Sequence, residues 1–161
     1  MRQSAENWNN ELPMIPQIEL YMHAEAEWVS PQLVESFGSA LSRLLPELLA
    51  APPGSAHVLS HLECVEISVV DDDTIARVHA EFLDDPTATD VNTFPYGEIL
   101  VSCDTAARYA AQHGILPRQE LFRYMVHGLT HLHGYLDADP EQREALFAVQ
   151  EPLVERFFPQ K

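Results

Sequence analysis

The sequence predicts an α+β fold, a small sheet of three to four strands packed with about five helices, and three observations carry that prediction. Short runs alternate apolar and polar residues at the two-residue period of a strand. Five longer runs repeat apolar residues at helical spacing, most opening on a capping residue or a proline. The two kinds interleave along the chain, with one markedly apolar helix late in it, as in a compact domain that stacks helices on a small sheet.

In order, a proline-bearing arm over 1–16 leads into "QIELYMH" (17–23), which alternates as a strand. "SPQLVESFGSALSRLLPELLA" (30–50) reads as a helix with Ser30 as N-cap and Pro31 at the first helical position. "APPGS" (51–55) is a loop, and "LECVEISVV" (62–70) a half-buried strand. The aspartates of "DDDTIARVHAEFL" (71–83) suit a helix start, where carboxylates meet unpaired backbone N–H groups. "ATDVNTFPYG" (88–97) reads as a loop or irregular edge before the strand "EILVS" and the short helix "DTAARYAAQHG", which Gly114 stops. "PRQELFRYMVHGLTHLHG" (117–134) is the apolar helix; "DPEQREALFAVQEPLVERFF" (139–158) is the last, with Asp139 as cap and Pro140 following it.

The 161 residues are the size of one domain over 1–161, and 46% apolar content is enough for a packed core. No apolar run is long enough to span a bilayer, so no membrane partner is expected, and the polar N-terminus lacks the apolar middle of a signal peptide. A cytoplasmic monomer is the default expectation. Cys64 and Cys103 show no CxxC spacing and read as buried small hydrophobes in strands. A net charge of −16 stands against a nucleic-acid partner, because such binding leans on phosphate contacts by lysine and arginine.

The chemistry concentrates in "MVHGLTHLHGYLDAD" (125–139). Residues four apart on a helix are separated by about 40° and about 6 Å, so His127 and His131 project side by side, while His133 lies roughly 200° from His131 and points away. A chain reversal after Gly134 could return Asp137 to the pair. Two imidazoles and a carboxylate, with a fourth position left for water, form the ligand set of a catalytic zinc site. HxxxH alone is a weak signal in a chain with eight histidines. Gly128 inside the helix strengthens it: it costs about 1 kcal/mol relative to alanine, and close approach of another backbone is its expected reason. Gly128 also occupies the position of the catalytic glutamate in HExxH, which disfavours a conventional zinc protease.

"HGLTHLHGYLD" resembles the HGxLHLxGYDH signature of the YbeY family of single-domain metal-dependent endoribonucleases, and "TDVNTFPYGEILVS" resembles that family's TDVLSFP stretch and following strand. The element order agrees over roughly 17–157, with specific matches at 89–102 and 127–137. The resemblance implies a mixed sheet with a central metal-bearing helix. It also implies a single-strand endoribonuclease acting on ribosomal RNA, in maturation of the small-subunit 3′ end and in ribosome quality control, with the small ribosomal subunit as partner. It places the metal, expected as one Zn²⁺ per chain or another divalent ion, on His127, His131 and Asp137.

Two departures accompany the likeness. Asp137 stands where the family has a histidine, and Leu136 replaces an aspartate before it. The arginine that the family carries shortly before TDV falls at about Leu83, and no basic residue lies between Arg77 and Arg108. Arg108 and Arg123 are the candidates to replace it. Asp90 has two readings: a catalytic carboxylate that orients water or holds a metal histidine through its other ring nitrogen, or a loop residue that bonds local backbone. His57, His61, His79 and His113 lack ligand spacing and read as surface or loop residues. The alternatives are a metal-containing ribosome-assembly factor with little or no nuclease activity, or a metal hydrolase with a non-RNA substrate.

Overall fold

The structure is a computed structural model that describes residues 14–83 and 89–159; most of the arm expected over 1–16 lies outside them. Four strands, β1 (Gln17–Met22), β2 (Cys64–Val70), β3 (Val91–Phe94) and β4 (Glu98–Ser102), form one sheet in the order β1-β2-β4-β3. β1 and β4 both run parallel to β2, and β3 pairs antiparallel with β4, so the sheet is mixed. The helices are α1 (Pro31–Ala50), α2 (Asp72–Leu83), α3 (Cys103–His113), α4 (Pro117–Leu132) and α5 (Pro140–Phe157). The expected α+β class is what the chain adopts, with five helices among the described residues.

β3 corrects the reading of 88–97 as a loop or irregular edge. Its single buried position is a polar one, Asn92, which broke the apolar alternation. The hairpin to β4 closes where the Gly97 N–H donates to the Phe94 carbonyl at 2.9 Å, with Gly97 at φ 107°. Cys103, read as a strand residue, opens α3 instead, and burial pushes its thiol up to about 11.

The period of two sorts the sheet into two faces. Val65, Ile67, Val69, Ile99 and Val101 join the main core with α1, α4 and α5, while Val70 and Leu100 pack with Ile75 of α2 on the other face. Side-chain caps start most helices: Ser30 accepts from Leu33 N–H, Asp71 from Thr74 N–H, Ser102 from Thr105 N–H and Asp139 from Gln142 N–H. α1 and α5 run through Pro46 and Pro152, both on exposed faces, where the carbonyls freed by the missing N–H groups reach water.

α4 is buried on nearly every side, by the sheet, α1, α3 and α5. The expected cause of Gly128 was a neighbouring backbone; the neighbour is the Ile99 side chain of β4. A Cβ on Gly128 would lie 2.7 Å from Ile99 Cγ2 and 2.9 Å from its Cδ1. The glycine lets α4 lie directly on the sheet.

Two outcomes follow from this packing. Gly128→Ala should destabilise the chain by about 1 kcal/mol, because overpacking of about 1–3 kcal/mol exceeds the roughly 1 kcal/mol of helix propensity gained. In an Ile99→Ala background the added methyl should cost nothing, and a stabilised single variant in urea unfolding would refute the contact. Asp72 ties α2 to α3 by accepting from Ser102 Oγ and Thr105 Oγ1, each at 2.7 Å, and by pairing with Arg108. Burial opposes its ionisation, yet these donors together hold its carboxyl below the ordinary 3.8. Asp72→Asn should therefore cost about 1 kcal/mol at neutral pH. The folded-state value is depressed, so that contribution is present above pH 3.8 and fades as pH falls through the folded value.

Candidate metal centre

The last two turns of α4 and the reversal after it bring His127, His131 and Asp137 together. The two imidazoles stand edge to face, centroids 4.4 Å apart, on one side of the helix. Beyond them α4 ends, and Gly134 adopts φ 99°, a conformation that side-chain-bearing residues rarely take. A Cβ there would lie 2.7 Å from the Gly54 Cα, so the 51–55 loop leaves room only for glycine. That loop is fastened by Gly54 N–H to the His133 carbonyl at 3.0 Å and by Tyr135 Oη to the Pro52 carbonyl at 2.7 Å. His133 faces away from the pair, buried, its Nε2 within 2.8 Å of the Ala51 carbonyl.

The ligand atoms form a near-equilateral triangle. His127 Nε2 and His131 Nε2 are 2.9 Å apart, and Asp137 Oδ2 lies 3.4 Å from the first and 3.3 Å from the second. A tetrahedral ion with bonds of about 2.0–2.1 Å requires ligand atoms roughly 3.3–3.4 Å apart. The two edges to Asp137 match that spacing and the imidazole pair stands closer, a donor set suited to a divalent metal ion such as zinc.

The hydrogen bonds behind the rings settle which nitrogen faces the cluster. His127 Nδ1 is 2.8 Å from Gln150 Oε1, and His131 Nδ1 is 2.7 Å from the Tyr135 carbonyl oxygen. Both partners are acceptors, so each Nδ1 carries the proton and each Nε2 presents a lone pair. Three acceptors then converge with no proton among them, an arrangement that repels itself unless a cation or an added proton lies between. Gln150, buried to 1% exposure on α5, was missed by sequence reasoning; its only signal is a polar residue on the inward face of that helix.

The cluster lies in a cleft of about 460 Å³ that is also lined by Asp90, Asn92, His79, Val58 and Leu136. Asp90 Oδ1 accepts from Val91 N–H at 2.9 Å and from Thr89 Oγ1 at 3.3 Å. Its suggested hold on a histidine is corrected, because both Nδ1 atoms are occupied by Gln150 and Tyr135. The reading of His79 as a surface or loop residue is also corrected: it is half-buried on α2 and lines this cleft. Neither proposed substitute for the family's arginine lines this cleft. Arg108 pairs with Asp72, and Arg123 reaches Glu151 at 3.0 Å and Glu120 at 3.1 Å. Burial pushes the Glu120 carboxyl above the usual carboxylate range despite that pairing.

Added zinc is expected to raise the melting temperature of the chelator-treated chain, with about one equivalent bound. Asp137→Ala should abolish the rise, and Gln150→Ala should weaken zinc binding by roughly 10–100-fold through the freed ring of His127. Zinc content unchanged in both variants would remove the site.

Comparison with known proteins meets the same helix. The family model described as Endoribonuclease YbeY matches residues 35–158. A Heliobacterium modesticaldum protein of that name is 31% identical over 85% of this chain and 94% of its own. A Rhodopirellula baltica protein of that name is 38% identical over 51% of this chain, and one from Protochlamydia amoebophila is 38% identical over 47%. This chain spans 47% and 59% of the lengths of those two relatives. A solution structure from Thermotoga maritima shares the fold at a TM-score of 0.59 and 23% identity, covering 88% of this chain and 89% of that one. Sequence, over most of the described residues, and backbone therefore agree, and the chain belongs to the YbeY family.

Proposed function

We propose that the chain is a zinc-dependent single-strand endoribonuclease that acts on ribosomal RNA, in maturation of the small-subunit 3′ end and in ribosome quality control. The observation that carries this reading is the convergence of three metal-ligand atoms, His127 Nε2, His131 Nε2 and Asp137 Oδ2, inside a cleft of substrate size. The relatives named endoribonuclease supply the substrate class.

His127, His131 and Asp137 would hold the ion, and Gln150 and the Tyr135 carbonyl would keep both rings in the binding tautomer. When bound, the ion supplies Lewis acidity toward a phosphodiester oxygen. Asp90, exposed beside the cluster and bonded to the backbone by one oxygen, retains acceptor capacity to orient a water or take its proton. The activity is assigned to a monomer in the cytoplasm, one domain over 1–161, with the small ribosomal subunit as its partner.

One observation favours a second reading. No lysine or arginine is among the described residues that line the metal cleft, and the net charge is −16. A ribosome-assembly factor with a metal clamp and little nuclease activity suits that field.

The test is cleavage of a short RNA carrying a small-subunit 3′ end. The zinc-loaded chain should cut it, His127→Ala should fall to background, and Asp90→Asn should lose roughly 10²–10⁴-fold, the usual contribution of general acid–base catalysis. With few cations to neutralise phosphates, RNA affinity should change little with salt. A metal-loaded chain that leaves RNA intact yet sediments with small subunits would replace the nuclease by the assembly factor.

A further inference from the structure

Two buried side-chain groups on β3 have no hydrogen-bond partner among the described residues, Asn92 Nδ2 and Thr93 Oγ1, and both residues line the metal cleft. Folded chains leave few such groups, because a buried donor without an acceptor destabilises the fold. The two side chains lie on opposite faces of the strand. Asn92, 5% exposed, sits across from Leu100 and turns with it to the α2 side of the sheet. Thr93 sits across from Ile99, whose side chain abuts Gly128 between the two histidines. The Thr93 side chain therefore stands on the α4 side, the side that carries the metal ligands.

The backbone of Thr93 adds a second donor. β3 is an edge strand, so alternate residues turn their N–H and C=O groups off the sheet. The Ser102 N–H donates to the Asp90 carbonyl at 3.0 Å, which sets the phase: Asp90 and Asn92 bond to β4, while Val91 and Thr93 face outward. The Val91 N–H is taken by Asp90 Oδ1 at 2.9 Å. The Thr93 N–H has no such acceptor among the described residues. One residue thus carries an unpaired N–H and an unpaired hydroxyl. Thr93 is half-exposed, and a step between staggered positions about its Cα–Cβ bond turns the hydroxyl to the cleft beside the N–H.

The surroundings decide what these donors receive. No lysine or arginine is among the described residues of the cleft, so an anionic group drawn in by the ion meets neutral donors. We propose that Thr93 is a substrate-contacting residue, its N–H and hydroxyl together receiving a non-bridging oxygen of the phosphodiester that enters the metal cleft. The inference rests on the ribonuclease reading above and deepens it. Paired neutral donors hold an anionic oxygen as an oxyanion hole does, which gives a chain of net charge −16 a phosphate contact without a cation. Valine has nearly the shape of threonine and suits a strand as well, so packing alone gives no reason for a hydroxyl here.

Dimethyl phosphate, the smallest diester of this kind, tests the contact when titrated into the zinc-loaded full chain and followed by protein NMR. The Thr93 amide signal should move, and that of Asn92, bonded within the sheet, should move less. Thr93→Val should weaken diester binding about tenfold, the scale of one hydrogen bond to a charged group. Its zinc content should hold, and its melting temperature should stay level or rise, because an unpaired buried hydroxyl has gone. Thr93→Ser should restore binding. No diester binding, a Thr93 amide that does not respond, or equal binding by Thr93→Val would overturn the contact. Lost zinc or a lowered melting temperature in Thr93→Val would overturn it too, by making the hydroxyl structural. RNA cleavage by the same preparations separates the two readings. Cleavage that Thr93→Val leaves unchanged overturns the contact alone, whereas a chain that binds the diester through Thr93 yet leaves RNA intact keeps the contact and removes the nuclease.

Discussion

The burial of α4 on nearly every side is the constraint on which the site depends. A helix with one wet face can roll by a few degrees at little cost, and two histidines on it would then wander relative to a third ligand. Here Phe122, Met125 and Leu129 are fully buried in the main core, and Gly128 sits directly on Ile99. Rotation in either direction would drive side chains into the sheet. Beyond its first turn, the open positions of the helix are Arg123 and the two imidazoles, at 21%, 17% and 22% side-chain exposure. Close packing, which resists small displacements, thus does for the histidines what their own hydrogen bonds alone could not.

Those hydrogen bonds complete the work from two directions. Gln150 belongs to α5 and Tyr135 to the reversal beyond α4, so each ring is oriented by a different element. The reversal is itself clasped by the 51–55 loop through Gly54, Pro52 and Ala51. A loop some eighty residues away in sequence therefore determines where Asp137 falls. That link explains why His133, although it points away from the cluster, matters to it: it pins the end of α4 to Ala51.

Much of this was legible in the sequence because it obeys local rules. Ser30, Asp71 and Asp139 cap helices as their positions imply, and the 127–131 spacing fixes one face of α4 whatever surrounds it. The parts that were not legible depend on contacts between distant segments. β3 is hidden because its inward residue, Asn92, is polar. Gln150 is a ring partner only because α5 crosses α4 at that turn, and His79 lines the cleft only because α2 packs on the far face of the sheet. Gly128 was read correctly as a close approach but assigned the wrong neighbour, since sequence alone cannot tell an Ile99 methyl from a backbone. Arg108 and Arg123 looked available because Asp72 and Glu151 lie 36 and 28 residues away from them, although Glu120, a second partner of Arg123, is one turn before it.

The carboxylate at 137 reshapes the electrostatics of the whole cleft. Two neutral imidazoles and one carboxylate leave a divalent ion with one net positive charge, where three imidazoles would leave two. Among the described residues that line this cleft the other carboxylate is Asp90, so the ion's residual charge would be the principal attraction offered to a phosphate. Opposite unit charges about 4 Å apart interact by roughly 4 kcal/mol at the dielectric of a protein surface, a substantial but not overwhelming pull against a chain of net charge −16. Under the ribonuclease reading proposed above, RNA affinity then rests on the ion and on uncharged contacts rather than on a positive surface.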